Sequence, residues 1–432
     1  MKFLYAFLML VALFVTFGAY SIMMDRFSAN LSQNLERDAV KFEPFYSTPW
    51  SNIRLPAFNP QALVDPAHRG GEVVPLRPGE AEEGTTASSS PELTPEEVAD
   101  GARFIQEAYK QLEIQLKKPR PTFIVPDKVN FARSQAPCRS YRTTAGALGG
   151  MTYYFATRKN TALALRGLAG LGGFFVGLFP DGTLDHNLIG YMTAHETLAI
   201  FGLILLRTAE HLHPPKSAVL KLMENHAILA GQFPSPVHVI KVEKQSNLSL
   251  GDVLTTQGYM QKNPCFDLGG LMGALKEEMS SEWDPYLPLF DKPWPEVRNT
   301  LNELRERDLA SFQEIDKNLF LRLSPRQRAA RRLLHLNMSQ FSKCLRREQA
   351  ILNAGFTAFA LESFRTEKGT YPASLKDLSA WLGKPVGKDE YTNAEFTYSP
   401  NPLRLSSPGM DIKYGTRDDI VFIPSAEYFK PK

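Results

Sequence analysis

Three aspartates near the end of the chain, Asp411, Asp418 and Asp419, stand in the stretch SPGMDIKYGTRDDIVFIP. Carboxylates gathered in one short loop repel each other unless something positive pairs them. Calcium suits such a loop, because it takes several oxygens at roughly 2.3–2.6 Å and mixes carboxylates with backbone carbonyls. Gly415 allows the loop to fold back, so that Asp411 meets the adjacent pair Asp418 and Asp419. Carbonyls of Pro408, Met410 and Thr416 would then complete the shell. The plainer alternative is a solvated acidic turn ahead of the apolar run Ile420–Ile423.

A second concentration of reactive side chains, His195, Glu196, Glu210, His211 and His213, lies within one apolar segment. The HETLA at His195 places Ala199 where a zincin helix needs its second histidine, so that motif fails. On a single helix His195 and His211 would lie about 24 Å apart along the axis and about 160° round it. A metal-dependent hydrolase would therefore have to assemble its site from several helices. Other catalytic signatures are missing from the sequence. There is no GxSxG, and GLGGFF (Gly170–Phe175) lacks the lysine and spacing of a phosphate loop. The basic run RQRAARR, Arg326–Arg332, reads as a solvated helix face.

The elements that must position these groups begin with an uncharged run, Phe3–Met24, long enough to span a bilayer and closed by Asp25 and Arg26. It reads as a signal anchor, or as a signal peptide cleaved near Ala19–Ser21. Either way the rest of the chain is expected outside the cytoplasm, in the periplasm, with a single-pass attachment to the cell membrane in the first case. Residues 25–93 form a linker region whose second half is rich in Pro, Gly, Glu and Ser. Residues 94–323 are expected to form an α-helical domain. It opens with a capping box at Thr94 and Glu97, and Phe104, Ile105, Ala108 and Leu112 follow at helical spacing. Two apolar segments flanking PDGTLD read as an αα-hairpin, and His195 and Glu196 inside the second argue for burial in protein, not lipid.

Residues 324–432 read as a long helix, a turn with a short helix at TYPASLKDLSAWL, and strands at FTYSP, LRLSS and DIVFIP. Leu334, Met338, Phe341, Leu345, Leu352, Phe356 and Phe359 make one apolar stripe along that helix. The fold class is thus mainly α, ending in a small α+β module. The three cysteines include no CxxC pair. Cys138 and Cys265 fall in Pro-flanked loops and could pair in an oxidising compartment, whereas Cys344 sits on the long helix.

RREQAILNAGFTAFALESFRTEKGTYPASLKDL resembles the helix-to-YP junction of type II secretion pseudopilins. LSSPGMDIKYGTRDDIVF is similar to the calcium loop of the major pseudopilin. The resemblance covers about the last quarter of the chain. It implies a pseudopilin-like module and calcium ligation by Asp411, Asp418 and Asp419. A formal net charge of +3 over 432 residues, without a basic stripe, gives no reason to expect nucleic acid. The expected function is non-catalytic: interaction or scaffolding at the cell envelope, with a protein partner on the helical array and calcium stabilising the tail. The alternative is an envelope hydrolase whose metal site draws on helical-domain histidines.

Overall fold

The computed structural model describes residues 93–123, 125, 136–178, 188–249, 268–316, 327, 330, 338–416 and 418–422. The expected anchor and linker, the PDGTLD turn, Cys265 and most of RQRAARR lie outside these residues. Helix α1, Pro95–Leu116, starts with the capping box that the sequence specifies. Thr94 Oγ1 accepts the Glu97 N–H at 3.2 Å, and Glu97 Oε2 accepts the Thr94 N–H at 2.7 Å. Its stripe of Phe104, Ile105, Ala108 and Leu112 is buried against α3, Thr161–Phe174.

Between them runs α2, Ala136–Thr157, which places Cys138 on a helix and corrects the expectation of a loop there. Pro137 sits in the first turn, where its missing N–H would have no intrahelical partner anyway, so proline marks a helix start here. Helix α4, Leu188–Leu212, packs against both α2 and α3 as the second arm of the expected hairpin. Among the described residues no helix is long and apolar enough to cross a membrane. Helices α5, Lys216–Ala230, and α6, Pro236–Leu248, follow, the latter capped by Ser235. Helix α7, Leu268–Trp283, runs into a 3-10 turn at Asp284–Leu289, and α8 spans Trp294–Asp316.

The long helix α9, Met338–Lys368, lies across α4 and closes the core. The crossing is backbone to backbone. A methyl group on Gly202 would come within 2.7 Å of the Leu352 Cα, and one on Gly355 within 2.5 Å of the Gly202 carbonyl oxygen. Only glycine on both helices permits this approach, which brings the polar residues of α9 up to those of α4.

The chain then forms α10, Leu375–Leu382, and an antiparallel sheet in the order β1, Thr397–Pro400; β2, Leu403–Ser407; β3, Ile420–Phe422. Leu405 faces Tyr398 on one side and Phe422 on the other. Buried Leu403, Leu405, Ile420 and Phe422 hold the sheet in the core, with β2 and β3 in contact with α9. The described protein is mainly α with one small antiparallel sheet near its end.

Candidate functional site

The acidic loop joins β2 to β3, and its carboxylates are occupied by the loop's own donors. Asp418 accepts the Asp411 N–H at 3.0 Å and the Thr416 hydroxyl at 2.7 Å. Asp419, almost fully buried, accepts the Gly415 N–H at 2.7 Å and the Thr416 hydroxyl at 3.3 Å. Asp411 accepts the N–H of Lys413 at 2.7 Å. Gly409 has φ +66, and a side chain there would collide with Asp418. Asp418 and Asp419 thus converge around Thr416, as their adjacency suggests, whereas Asp411 reaches them through its backbone N–H. Of the expected carbonyl ligands, Met410 is engaged by the Trp294 indole N–H at 2.9 Å, and the Asp411 carbonyl accepts from Arg298 at 2.7 Å. Pro408 is buried beside Gly409. Among the described residues no three acids, histidines or cysteines are grouped to hold a metal ion.

The histidines separate as the helix geometry requires. His211 ends α4 beside Glu210 at 3.5 Å and meets the edge of Tyr153. His213 lies just beyond α4, with Arg365 at 3.4 Å. His195 is among the residues lining an open cavity of about 280 Å³ between α4, α5 and α9 and the turns that follow α5 and α7.

Each helix supplies this cavity through one face. Tyr191, His195 and Leu198 stand at i, i+4 and i+7 on α4, and His226 and Ala230 at i and i+4 on α5. Ser342, Leu345, Arg346 and Gln349 line it from α9 at the same spacings. Tyr191 stacks on Phe233 at 4.8 Å, and His195 leans on both rings, at 4.7 and 5.3 Å. His226 is wedged between Phe175 at 5.9 Å and Phe356 at 5.5 Å.

Behind this aromatic wall several polar atoms are buried without a hydrogen bond. Among the described residues neither ring nitrogen of His195, nor His226 Nδ1, nor Ser342 Oγ has a hydrogen-bond partner. Burial lowers the pKa of His195 to about 3 and that of His226 to about 4, so both imidazoles are neutral at physiological pH. Glu348 Oε2 lies 3.5 Å from His195 Nδ1. Burial, and then the neighbouring Glu196, push its carboxyl well above the usual carboxylate range. Burial thus disfavours the charged form of both members of this contact.

The charged groups on the wall are Arg346 and Glu390. Arg346 donates to the carbonyls of Leu289 at 3.0 Å and Lys292 at 2.7 Å, and its guanidinium lies over the Trp294 ring at 5.8 Å. Burial lowers its pKa while Glu390 supports its charge. Asn353 donates to Glu390 at 3.3 Å and to the Lys388 carbonyl at 2.8 Å, and it accepts from Gln349 at 3.0 Å. This network fixes the loop after α10 against α9.

Ser342, His195 and Glu348 are the residue types of a nucleophile, base and acid. Ser342 Oγ is not hydrogen-bonded to His195, and an imidazole with a pKa near 3 is a poor base at neutral pH. The cavity presents apolar rings together with the polar side chains of Arg346, Gln349 and Glu390.

No protein-family model matches the chain, and neither a curated protein nor a solved structure matches it.

Proposed function

We propose that this protein is a non-catalytic binding protein of the cell envelope and that the α4–α5–α9 cavity is where it binds. The carrying observation is the cavity itself, about 280 Å³, lined by the rings of Phe175, Tyr191, Phe233 and Phe290 and by the polar side chains of Arg346, Gln349 and Glu390. A cleft lined mostly by aromatic and apolar side chains with a few polar groups is the usual form of a small-molecule site.

Around this site the remaining features fall into supporting roles. The uncharged Phe3–Met24 run would attach the protein to the membrane, and the linker would hold the helical array away from the surface for a protein partner in the periplasm. The C-terminal part would be a pseudopilin-like module, supported by a long helix followed by a short helix and a three-stranded antiparallel sheet. Calcium at Asp411, Asp418 and Asp419 would clamp its loop by replacing the Thr416 and Gly415 donors that these carboxylates hold.

The test is small-molecule extraction from full-length protein purified from its own membrane, with Ala230→Trp as the control. Ala230 is exposed and lines the cavity, so a tryptophan there closes the mouth without entering the core. A compound that accompanies the wild type and is absent from the variant supports the reading, and identical extracts refute it. A hydrolytic activity that depends on added metal and is lost in His195→Gln would instead establish the hydrolase.

A further inference from the structure

Taken as the binding site proposed above, the cavity is limited in what it can hold by the charges on its wall. Among its lining residues Arg346 and Glu390 carry the formal charges, one of each sign. They act on each other electrostatically, yet no ion pair joins them. Arg346 gives Nη2 to the carbonyls of Leu289 and Lys292, which leaves Nε and Nη1 without a hydrogen bond among the described residues. Neither of these two nitrogens is sealed from solvent. Glu390 takes the Asn353 amide on Oε1, which leaves Oε2 over. Gln349 gives its amide N–H to Asn353 and keeps its carbonyl oxygen. The site therefore has a cationic group with donors to spare and an anionic group with acceptors to spare.

We infer that the cavity takes a zwitterion, a free α-amino acid with an apolar side chain, its carboxylate on Arg346, its ammonium on Glu390 and Gln349, and its side chain against Phe233 and Phe290. A lone anion or cation would meet one opposite charge, be repelled by the other and leave a net charge in a poorly solvated space. A zwitterion meets both and leaves the sum at zero. Burial raises the Glu390 carboxyl, and an arriving ammonium would favour its charged form. Phe233 and Phe290 are only part-buried, so their rings keep accessible surface for an apolar side chain. A cavity of about 150 Å³ holds benzene, so about 280 Å³ admits roughly a dozen non-hydrogen atoms, the size of phenylalanine.

Four probes test this on the full chain at about pH 7.5, each followed by saturation-transfer NMR: L-phenylalanine, 3-phenylpropanoate, 2-phenylethylammonium and glycine. The second lacks the ammonium, the third the carboxylate and the fourth the ring. L-Phenylalanine is expected to bind at least roughly tenfold more tightly than each of the others, the scale of one hydrogen bond to a charged group. Glu390→Gln, which keeps a carbonyl oxygen for Asn353, is expected to remove the advantage over 3-phenylpropanoate and preserve the advantage over 2-phenylethylammonium. Arg346→Gln is expected to do the reverse; if it unfolds for want of its bonds to Leu289 and Lys292, Glu390→Gln decides alone. Equal or tighter binding of 3-phenylpropanoate or 2-phenylethylammonium to the wild type, or an unchanged ratio in Glu390→Gln, would overturn the zwitterion and leave the cavity a binding site. Glycine binding as tightly as L-phenylalanine would overturn the apolar side chain. Binding of none of the four would also overturn the inference, and the binding reading would then be decided by the extraction with Ala230→Trp.

Discussion

Replacing His195 by phenylalanine should make the protein less sensitive to acid, by an amount the structure fixes. The ring is boxed by Tyr191 and Phe233 and has no hydrogen bond to lose among the described residues, so Phe suits the site. Its pKa is 6.5 in an ordinary environment and about 3 when folded. Between those values the unfolded chain binds a proton that the folded chain refuses. Stability is therefore intact above pH 6.5 and is lost as pH falls towards 3. At pH 5.0 the unfolded side chain gains about 1.5 units of proton affinity, worth about 2 kcal/mol; at pH 7.5 the effect is near zero. His226, lowered to about 4, acts in the same sense. Glu348 acts in the opposite sense, because a raised carboxyl favours the folded state less as pH climbs above 4.5. The wild-type profile alone thus mixes opposing slopes. Urea denaturation of wild type and His195→Phe at pH 5.0 and 7.5 separates them. The loss between the two pH values should be about 2 kcal/mol smaller in the variant. An equal loss in both proteins would refute the claim that His195 is buried and neutral, and with it the electrostatic picture of the cavity.

Two further outcomes follow from the fold. Gly355→Ala should destabilise the protein by at least the roughly 1–3 kcal/mol typical of overpacking, because its methyl group meets the Gly202 carbonyl at 2.5 Å. Gly273→Ala, in α7 with nothing within 4 Å, should be neutral or stabilising by up to about 1 kcal/mol, so similar thermal shifts in the two variants would argue against the close α4–α9 crossing. For the acidic loop, calcium at a hundredfold excess over Kd should stabilise the full chain by about 2.7 kcal/mol, with the increment lost in Asp418→Ala. A melting temperature that ignores both calcium and chelator would remove the ion from the proposal.

Much of the architecture was legible because it is local. The capping box at Thr94, the stripe of Phe104, Ile105, Ala108 and Leu112, and the strands around Leu405 each depend on neighbours a few residues away. Helix α2 was not legible, since Pro137 and Cys138 suggest a loop unless the proline is recognised as an N-terminal residue. The site divides in the same way. His195 stood out by type, and the distance along α4 correctly separates it from His211. His226, Ser342 and Arg346 were missed because they join His195 only through tertiary packing. One signal was there to find: Ser342, Arg346 and Gln349 interrupt the apolar stripe of α9 at i, i+4 and i+7, on the side shared with Leu345. Polar residues on a helix face that is otherwise buried require partners: Gln349 has Asn353 four residues on, whereas Arg346 finds its acceptors at Leu289 and Lys292, far back in the chain. In the acidic loop, spacing suggested three converging carboxylates. It could not reveal that Trp294 and Arg298, more than a hundred residues earlier, hold the Met410 and Asp411 carbonyls.

Those two bonds give α8 a part in both candidate sites. Trp294 donates its indole N–H to the acidic loop while its ring face supports the Arg346 guanidinium on the cavity wall. Its edge also meets Tyr391, next to Glu390. One fully buried tryptophan therefore touches the loop, the arginine and the segment that carries the cavity's carboxylate. The long helix α9 extends the same connection, since its flank packs on α4 while β2 and β3 rest against it. Cutting the chain before α9 would remove Ser342, Arg346 and Gln349 from the cavity and uncover Phe201, whose ring meets Phe356 of α9 at 5.5 Å. An isolated tail would in turn expose the face of α9 that Gly202 approaches, together with its buried residues Phe356 and Leu352. A ligand in the cavity and calcium in the loop, bound as proposed, would thus act on one connected core. Each would be expected to stabilise the other's surroundings through Trp294 by packing alone, without any change of conformation.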